Sequence, residues 1–136
     1  MNTVIQKFFW GIIGSLVICL FGGFSLPLKV LFICMIIDYA TGILAAIYVR
    51  KNLSSKIGFK GGIKKIVMLL ICSLAYYIDT LTNAHSLIAN GALIYYCATE
   101  GISIIENADD LGIPIPKRLK AALQSLKEED DEGTIL

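Results

Sequence analysis

Four stretches, each of about twenty residues and nearly free of charge, dominate this 136-residue chain. A helix that crosses a bilayer needs about 20 mainly apolar residues, because a rise of about 1.5 Å per residue must cover about 30 Å of hydrocarbon. Residues 8–26 (FFWGIIGSLVICLFGGFSL) carry no charge, and residues 30–49 (VLFICMIIDYATGILAAIYV) carry only Asp38. Residues 66–84 (IVMLLICSLAYYIDTLTNA) carry only Asp79, and residues 87–105 (LIANGALIYYCATEGISII) only Glu100. Charged residues make up 17% of the chain, against about 25% in an ordinary soluble domain. A buried soluble bundle does not need four such runs, and a disordered chain does not contain them. A cleaved signal peptide is the competing account of the first run. However, that run is longer than a usual apolar signal core and no A-x-A site follows it; Ser25-Leu26-Pro27 reads instead as a tight turn.

The basic residues give an orientation, since Lys and Arg in short loops stay on the cytoplasmic side. Six of them, Arg50, Lys51, Lys56, Lys60, Lys64 and Lys65, fall in the connection RKNLSSKIGFKGGIKK between the second and third runs. Lys7 precedes the first run, and Lys117, Arg118, Lys120 and Lys127 follow the fourth. Placing both termini inside leaves only Lys29 outside. The sequence thus predicts an all-α integral membrane protein whose four transmembrane helices form two hairpins, N-in and C-in. Residues 1–107 form the bundle, and residues 108–136 a cytoplasmic amphipathic helix and acidic tail. In that helix Pro116 is placed to open the first turn, and Leu119, Leu123 and Leu126 share a face, with Lys117, Arg118, Lys120 and Lys127 elsewhere around the wheel. Glu128 to Glu132 read as a solvated, disordered tail.

Carboxylates in hydrocarbon cost about 2.5–3.5 kcal/mol each on insertion scales, so each one needs a reason. Asp38 heads a small polar stripe with Thr41, Gly42, Ala45 and Ala46. Small residues admit a second helix closely and the polar ones bond across the contact. Two readings are open: an oligomer seam or wall of a water-filled lesion, and an acid satisfied within a single four-helix monomer. Asp79 lies near the outer interface, within reach of water. Glu100 is either paired with Lys64 or Lys65 or in contact with water. The basic connection contains two turn elements, at 52–55 and 58–62, and its charges attract anionic headgroups at about 1 kcal/mol each. A nucleic-acid role has no support, since the net charge is only +1 and no binding module is present. The four cysteines, Cys19, Cys34, Cys72 and Cys97, lie within the apolar runs without C-x-x-C spacing, so neither metal nor cofactor is expected.

Three segments, D-Y-A-T-G-I-L-A-A (38–46), S-S-K-I-G-F-K-G-G-I-K-K (54–65) and E-G-I-S-I-I-E-N-A-D-D-L-G-I-P-I-P-K-R-L (100–119), occur in order. Together they resemble the phage holin family that includes clostridial toxin-secretion holins. Where that family often has Asn before the Glu of the third segment, Thr99 stands here. The resemblance implies a non-enzymatic protein of the bacterial cytoplasmic membrane. It implies homo-oligomers that open lesions, collapse the proton gradient and release a cell-wall hydrolase (endolysin) or a large toxin. By the same resemblance Asp38, Thr41, Gly42, the basic connection and residues 100–116 are the positions to test. A small four-helix proton-coupled exporter and a membrane assembly or regulatory subunit are the alternatives. Exporters of that kind place an essential Glu in the first span, which here has no ionisable residue.

Overall fold

A computed structural model describes residues 2–133, which form five helices in chain order and, among the described residues, no strand. They are α1 (Thr3–Phe21), α2 (Leu26–Ala45), α3 (Ser55–Thr82), α4 (Leu87–Asp110) and α5 (Lys117–Gly133). The first four are long and apolar enough to cross a membrane, with α2 extended to Arg50 by one wider, π-helical turn (Ala46–Arg50). Apolar side chains cover most of their outer surface, as expected of helices whose solvent is hydrocarbon.

The boundaries follow local chemistry. Gly22 ends α1 in the left-handed conformation (φ 71°), its N–H donating to Ile18 O at 2.8 Å. A Cβ at Gly22 would also clash with the Tyr76 ring. Leu26 and Pro27 are not in a turn but in the first turn of α2, where proline's missing N–H costs nothing. Helix α3 begins at Ser55, well before the expected start at residue 66. Ser54 caps it, its Oγ accepting the Ile57 N–H at 3.2 Å. The segment 58–62, expected as a turn, is therefore helical despite its three glycines. Lys56, Lys60, Lys64 and Lys65 belong to a helix, not to a loop.

At the far end Asn83 adopts the left-handed conformation and α4 starts three residues after Ala84. The N-cap position of α4, Ser86, makes no side-chain cap bond. Asp79 caps α4 from the previous helix: Oδ1 accepts the Ile88 N–H at 3.0 Å and Oδ2 the Ala89 N–H at 2.6 Å. Asp79 is thus 5% exposed and not the water-reached group expected from its position. Its charge lies on the positive end of the α4 dipole.

The core lies between α2, α3 and α4, where Leu28, Leu31 and Met35 meet Met68, Cys72 and Leu93. Helix α1 is peripheral and has no buried residue. It is held to α3 by Ser73 Oγ donating to Leu20 O (2.8 Å) and Tyr77 OH donating to Cys19 O (2.5 Å). After Gly112 (φ 76°) the chain has no regular structure through Pro116 and turns back as α5 against α4. Pro116 immediately precedes α5, its carbonyl accepting the Leu119 N–H at 3.1 Å. The acidic segment expected to be disordered is helical to Gly133, and residues 134–136 of that expected tail lie outside the described residues.

Candidate functional site

Helix α3 explains which charged side chains turn inward. Lys65, Met68, Cys72, Ala75 and Asp79 recur at helical spacing along one face, and the last four are buried. Lys65 shares that face; Lys64, one residue earlier, is exposed. The Lys65 ammonium donates to Asp38 Oδ2 of α2 at 2.7 Å and to Glu100 Oε2 of α4. Their side chains are 16%, 15% and 4% exposed for Lys65, Asp38 and Glu100. One cation therefore joins three helices inside the bundle.

The polar contacts continue from this cluster along α4. Asn107, two turns beyond Glu100 and 6% exposed, donates through Nδ2 to Asp38 Oδ1 (3.1 Å) and lies within 3.1 Å of Thr41 Oγ1. Thr41 itself donates to Ile37 O at 2.9 Å. Asn107 Oδ1 accepts from Arg50 Nη2 at 3.3 Å, and Arg50 Nε donates to Asp110 Oδ2 at 3.0 Å. The network runs Glu100–Lys65–Asp38–Asn107–Arg50–Asp110, from mid-bundle to the end of α4. Each buried polar group in it has a partner, which is what a water-poor interior demands.

Part of the stripe Asp38, Thr41, Gly42, Ala45 and Ala46 packs on the chain's own α4, while Asp38, Gly42 and Ala46 also line an open cavity. Asn107 reaches Asp38 and Thr41, the Asn107 amide is the nearest group to Gly42, and Ala45 is fully buried. The wider turn at 46–50 swings Arg50 onto Asp110. A cavity of about 320 Å³ opens between α2, α3 and α4, and the network residues Asp38, Arg50, Lys65, Glu100 and Asn107 themselves line it, with Tyr39.

The expected site residues divide accordingly. The structure brings together Asp38, Thr41, Gly42, Glu100, Lys65 and Arg50, and leaves Lys51, Lys56, Lys60 and Lys64 exposed. Asp79 is distant in role, bonding only the start of α4. On α5, Lys117, Arg118, Leu119, Lys120 and Leu126 are exposed, and Leu123 is half-buried over Gly101. Asn107 and Asp110 lie within residues 100–116, which the family resemblance marks for testing, but no reading of the residues themselves singled them out. Asn107 carries a readable signal, since it repeats the Glu100 face after seven residues.

The arrangement is built from ion pairs and amide hydrogen bonds. Among the described residues no group of three or more His, Cys, Asp and Glu side chains is placed to hold a metal ion. It is a polar, ion-paired seam inside a multi-pass membrane bundle.

Comparison with known proteins gives this seam its family. Residues 15–128 match the bacteriophage holin family. An uncharacterized 14.9 kDa protein in the nagH 3′ region of Clostridium perfringens is 36% identical over 132 residues, covering 95% of this chain and 99% of that protein. A Listeria monocytogenes protein, Lmo0128, is 41% identical over 119 residues, covering 86% and 83%, respectively. Bacillus subtilis YqxH is 33% identical over 114 residues, covering 84% and 80%. No solved structure matches the chain. Family membership and the apolar helices point to a non-enzymatic, multi-pass membrane protein. With its match running from α1 to α5, the chain belongs to the bacteriophage holin family.

Proposed function

We propose that this protein oligomerises in the bacterial cytoplasmic membrane and opens lesions that release a cell-wall hydrolase or a large toxin and collapse the proton gradient. The observation that carries this reading, in a chain of the holin family, is the Lys65–Asp38–Glu100 cluster held between three of the four apolar helices. Three ionisable groups at that depth are expensive to keep in lipid and cheap to keep beside water. A rearrangement that turns them toward a water-filled opening therefore favours the open state.

Both termini face the cytoplasm in this reading, and the exposed Lys51, Lys56, Lys60 and Lys64 hold the protein against anionic lipids. Residues 1–107 act as the spanning bundle and residues 108–136 as a separate C-terminal element. The membrane potential acts on charges inside the spans at about 2.3 kcal/mol per elementary charge per 100 mV. Its collapse would therefore feed back on further opening.

The test is controlled induction in a bacterium carrying a hydrolase without a secretion signal, following turbidity and membrane potential together. Sudden, hydrolase-dependent clearing with depolarisation is the expected result. Well-inserted protein that never depolarises the cell would sink the proposal and move the reading to an exporter or assembly subunit.

A further inference from the structure

The cavity between α2, α3 and α4 ends at a definite level. Its deepest lining residues are Asp38 on α2, Met68 on α3 and Thr99 on α4. Beyond that level the residues buried between the same helices are Leu28, Leu31, Met35, Cys72 and Leu93, with Met68 at the boundary. In the other direction the lining reaches Arg50, Asn52 and Ser54, at the connection between two spans. From Ser54 to Met68 is about 21 Å of α3 at a rise of about 1.5 Å per residue. The space exists because α2 and α3 both pack on α4 and hardly on each other. A Cβ at Gly58 would meet the Tyr39 hydroxyl across it at 3.3 Å, whereas Gly61 has nothing within 4 Å.

Water fits this space. At about 30 Å³ per molecule, 320 Å³ holds about ten waters. Water also needs polar partners, and Asn52, Ser54, Thr99, Ser103 and Asn107 supply them beside the charged groups. The cluster itself calls for solvent, since Asp38 and Glu100 bring two carboxyl groups to one ammonium. Full ionisation leaves a negative charge that the Asn107 amide satisfies only in part. An acyl chain in the cavity would leave that charge unsolvated. We infer that the cavity is an aqueous half-channel: water and small ions enter at the α2–α3 connection, reach the Lys65–Asp38–Glu100 cluster, and stop at the apolar layer of Leu31, Met35, Met68, Cys72 and Leu93. The cluster meets water on its cavity side alone, its side chains being at most 16% exposed. Opening then extends that water past Met68; this last step rests on the lesion-forming reading, whereas the half-channel belongs to the single subunit.

The test uses the full chain without its native cysteines, at one copy per lipid nanodisc, and a charged, membrane-impermeant methanethiosulfonate reagent. Asn52→Cys in the connection marks the labelling rate in water, and Leu70→Cys, on the exposed apolar side of α3, the rate in lipid. A thiol reacts as its thiolate, which forms where water reaches it. Ser103→Cys and Thr99→Cys should therefore react within about tenfold of Asn52→Cys, and Leu31→Cys, in the apolar layer, about a hundredfold more slowly. Gly61→Leu, which fills the open space at that glycine, should slow Ser103→Cys about tenfold and leave Asn52→Cys unchanged. Cavity cysteines no faster than Leu70→Cys would put acyl chains in the cavity and overturn the proposal. So would Leu31→Cys reacting as fast as Ser103→Cys, or a Ser103→Cys rate unmoved by Gly61→Leu. A single copy cannot form a lesion of several subunits, so these rates do not depend on depolarisation or clearing in cells. Failure in cells sinks the lesion reading and leaves the half-channel standing.

Discussion

Lys65→Met tests the central cluster most directly. The substitution keeps the length and apolar stem of the side chain and removes the ammonium that joins Asp38 and Glu100. Lys65, Asp38 and Glu100 side chains are all far less than a third exposed, at 16%, 15% and 4%. Solvent therefore screens the loss only slightly. Removing one partner of a buried pair costs about 3–5 kcal/mol, because a charge is left without compensation. The lower end applies here, about 3 kcal/mol, since Asp38 keeps its bond from the Asn107 amide. Glu100, whose cationic partner is gone, carries most of the penalty. Replacing it as well, in Lys65→Met with Glu100→Gln, should recover about 1–2 kcal/mol, within the usual range of coupling between contacting residues. Reversible unfolding in mixed detergent micelles, followed by far-UV circular dichroism, measures both numbers. A Lys65→Met protein within about 0.5 kcal/mol of the parent, which is the ordinary effect of a surface change, would refute the reasoning. So would a double variant no more stable than the single one.

Three further outcomes are expected. Arg50→Ala should cost under about 1 kcal/mol in the same assay, because Arg50 and Asp110 are each 42% exposed and an exposed pair contributes little; a loss as large as that of Lys65→Met would mean the pair is shielded in the membrane. Gly22→Ala should destabilise by about 2 kcal/mol, combining a left-handed backbone with a clash against Tyr76. Hydrogen exchange should show the loosening in α1, and unchanged protection there would count against the packing described. Asp79→Ala should cost about 1–2 kcal/mol through loss of the α4 cap, and Asp79→Asn less. Equal stability of all three proteins would show that Ser86 or water can replace the carboxylate.

Much of this fold is legible in the apolar runs, because a bilayer demands length and hydropathy and tolerates little else. The four helices begin within a few residues of those runs, except α3. There Gly58, Gly61 and Gly62 read as turn residues, while the opposing signal, Ser54 as N-cap, is short and lacks the Glu or Gln three residues later that would complete a capping box. The missed start of α3 also left Lys65 and Lys64 as equal candidates for the partner of Glu100. Once the helix extends upstream, Lys65 falls in register with Met68, Cys72 and Asp79; read as a loop residue, it has no face at all. Asp38 and Glu100 stood out because they are costly where they are; Lys64 or Lys65 was legible as a partner for Glu100, but none was for Asp38. Asn107 and Asp110 lie in the polar end of α4, where nothing in composition separates a networked side chain from a solvated one. The packing of α5 on α4 includes the close approach of Leu123 to Gly101, a long-range fit that periodicity cannot express.

The carboxylate of Asp79 also bears on the order in which the protein is made. A chain emerging N-terminus first delivers α3 before α4, so the acceptor for the Ile88 and Ala89 N–H groups is already in place when those groups arrive. Without it, the leading turn of α4 would present bare donors to a medium that cannot bond them. Helices α3 and α4 are thereby tied into one unit of insertion: the second helix of the hairpin is finished by a side chain of the first.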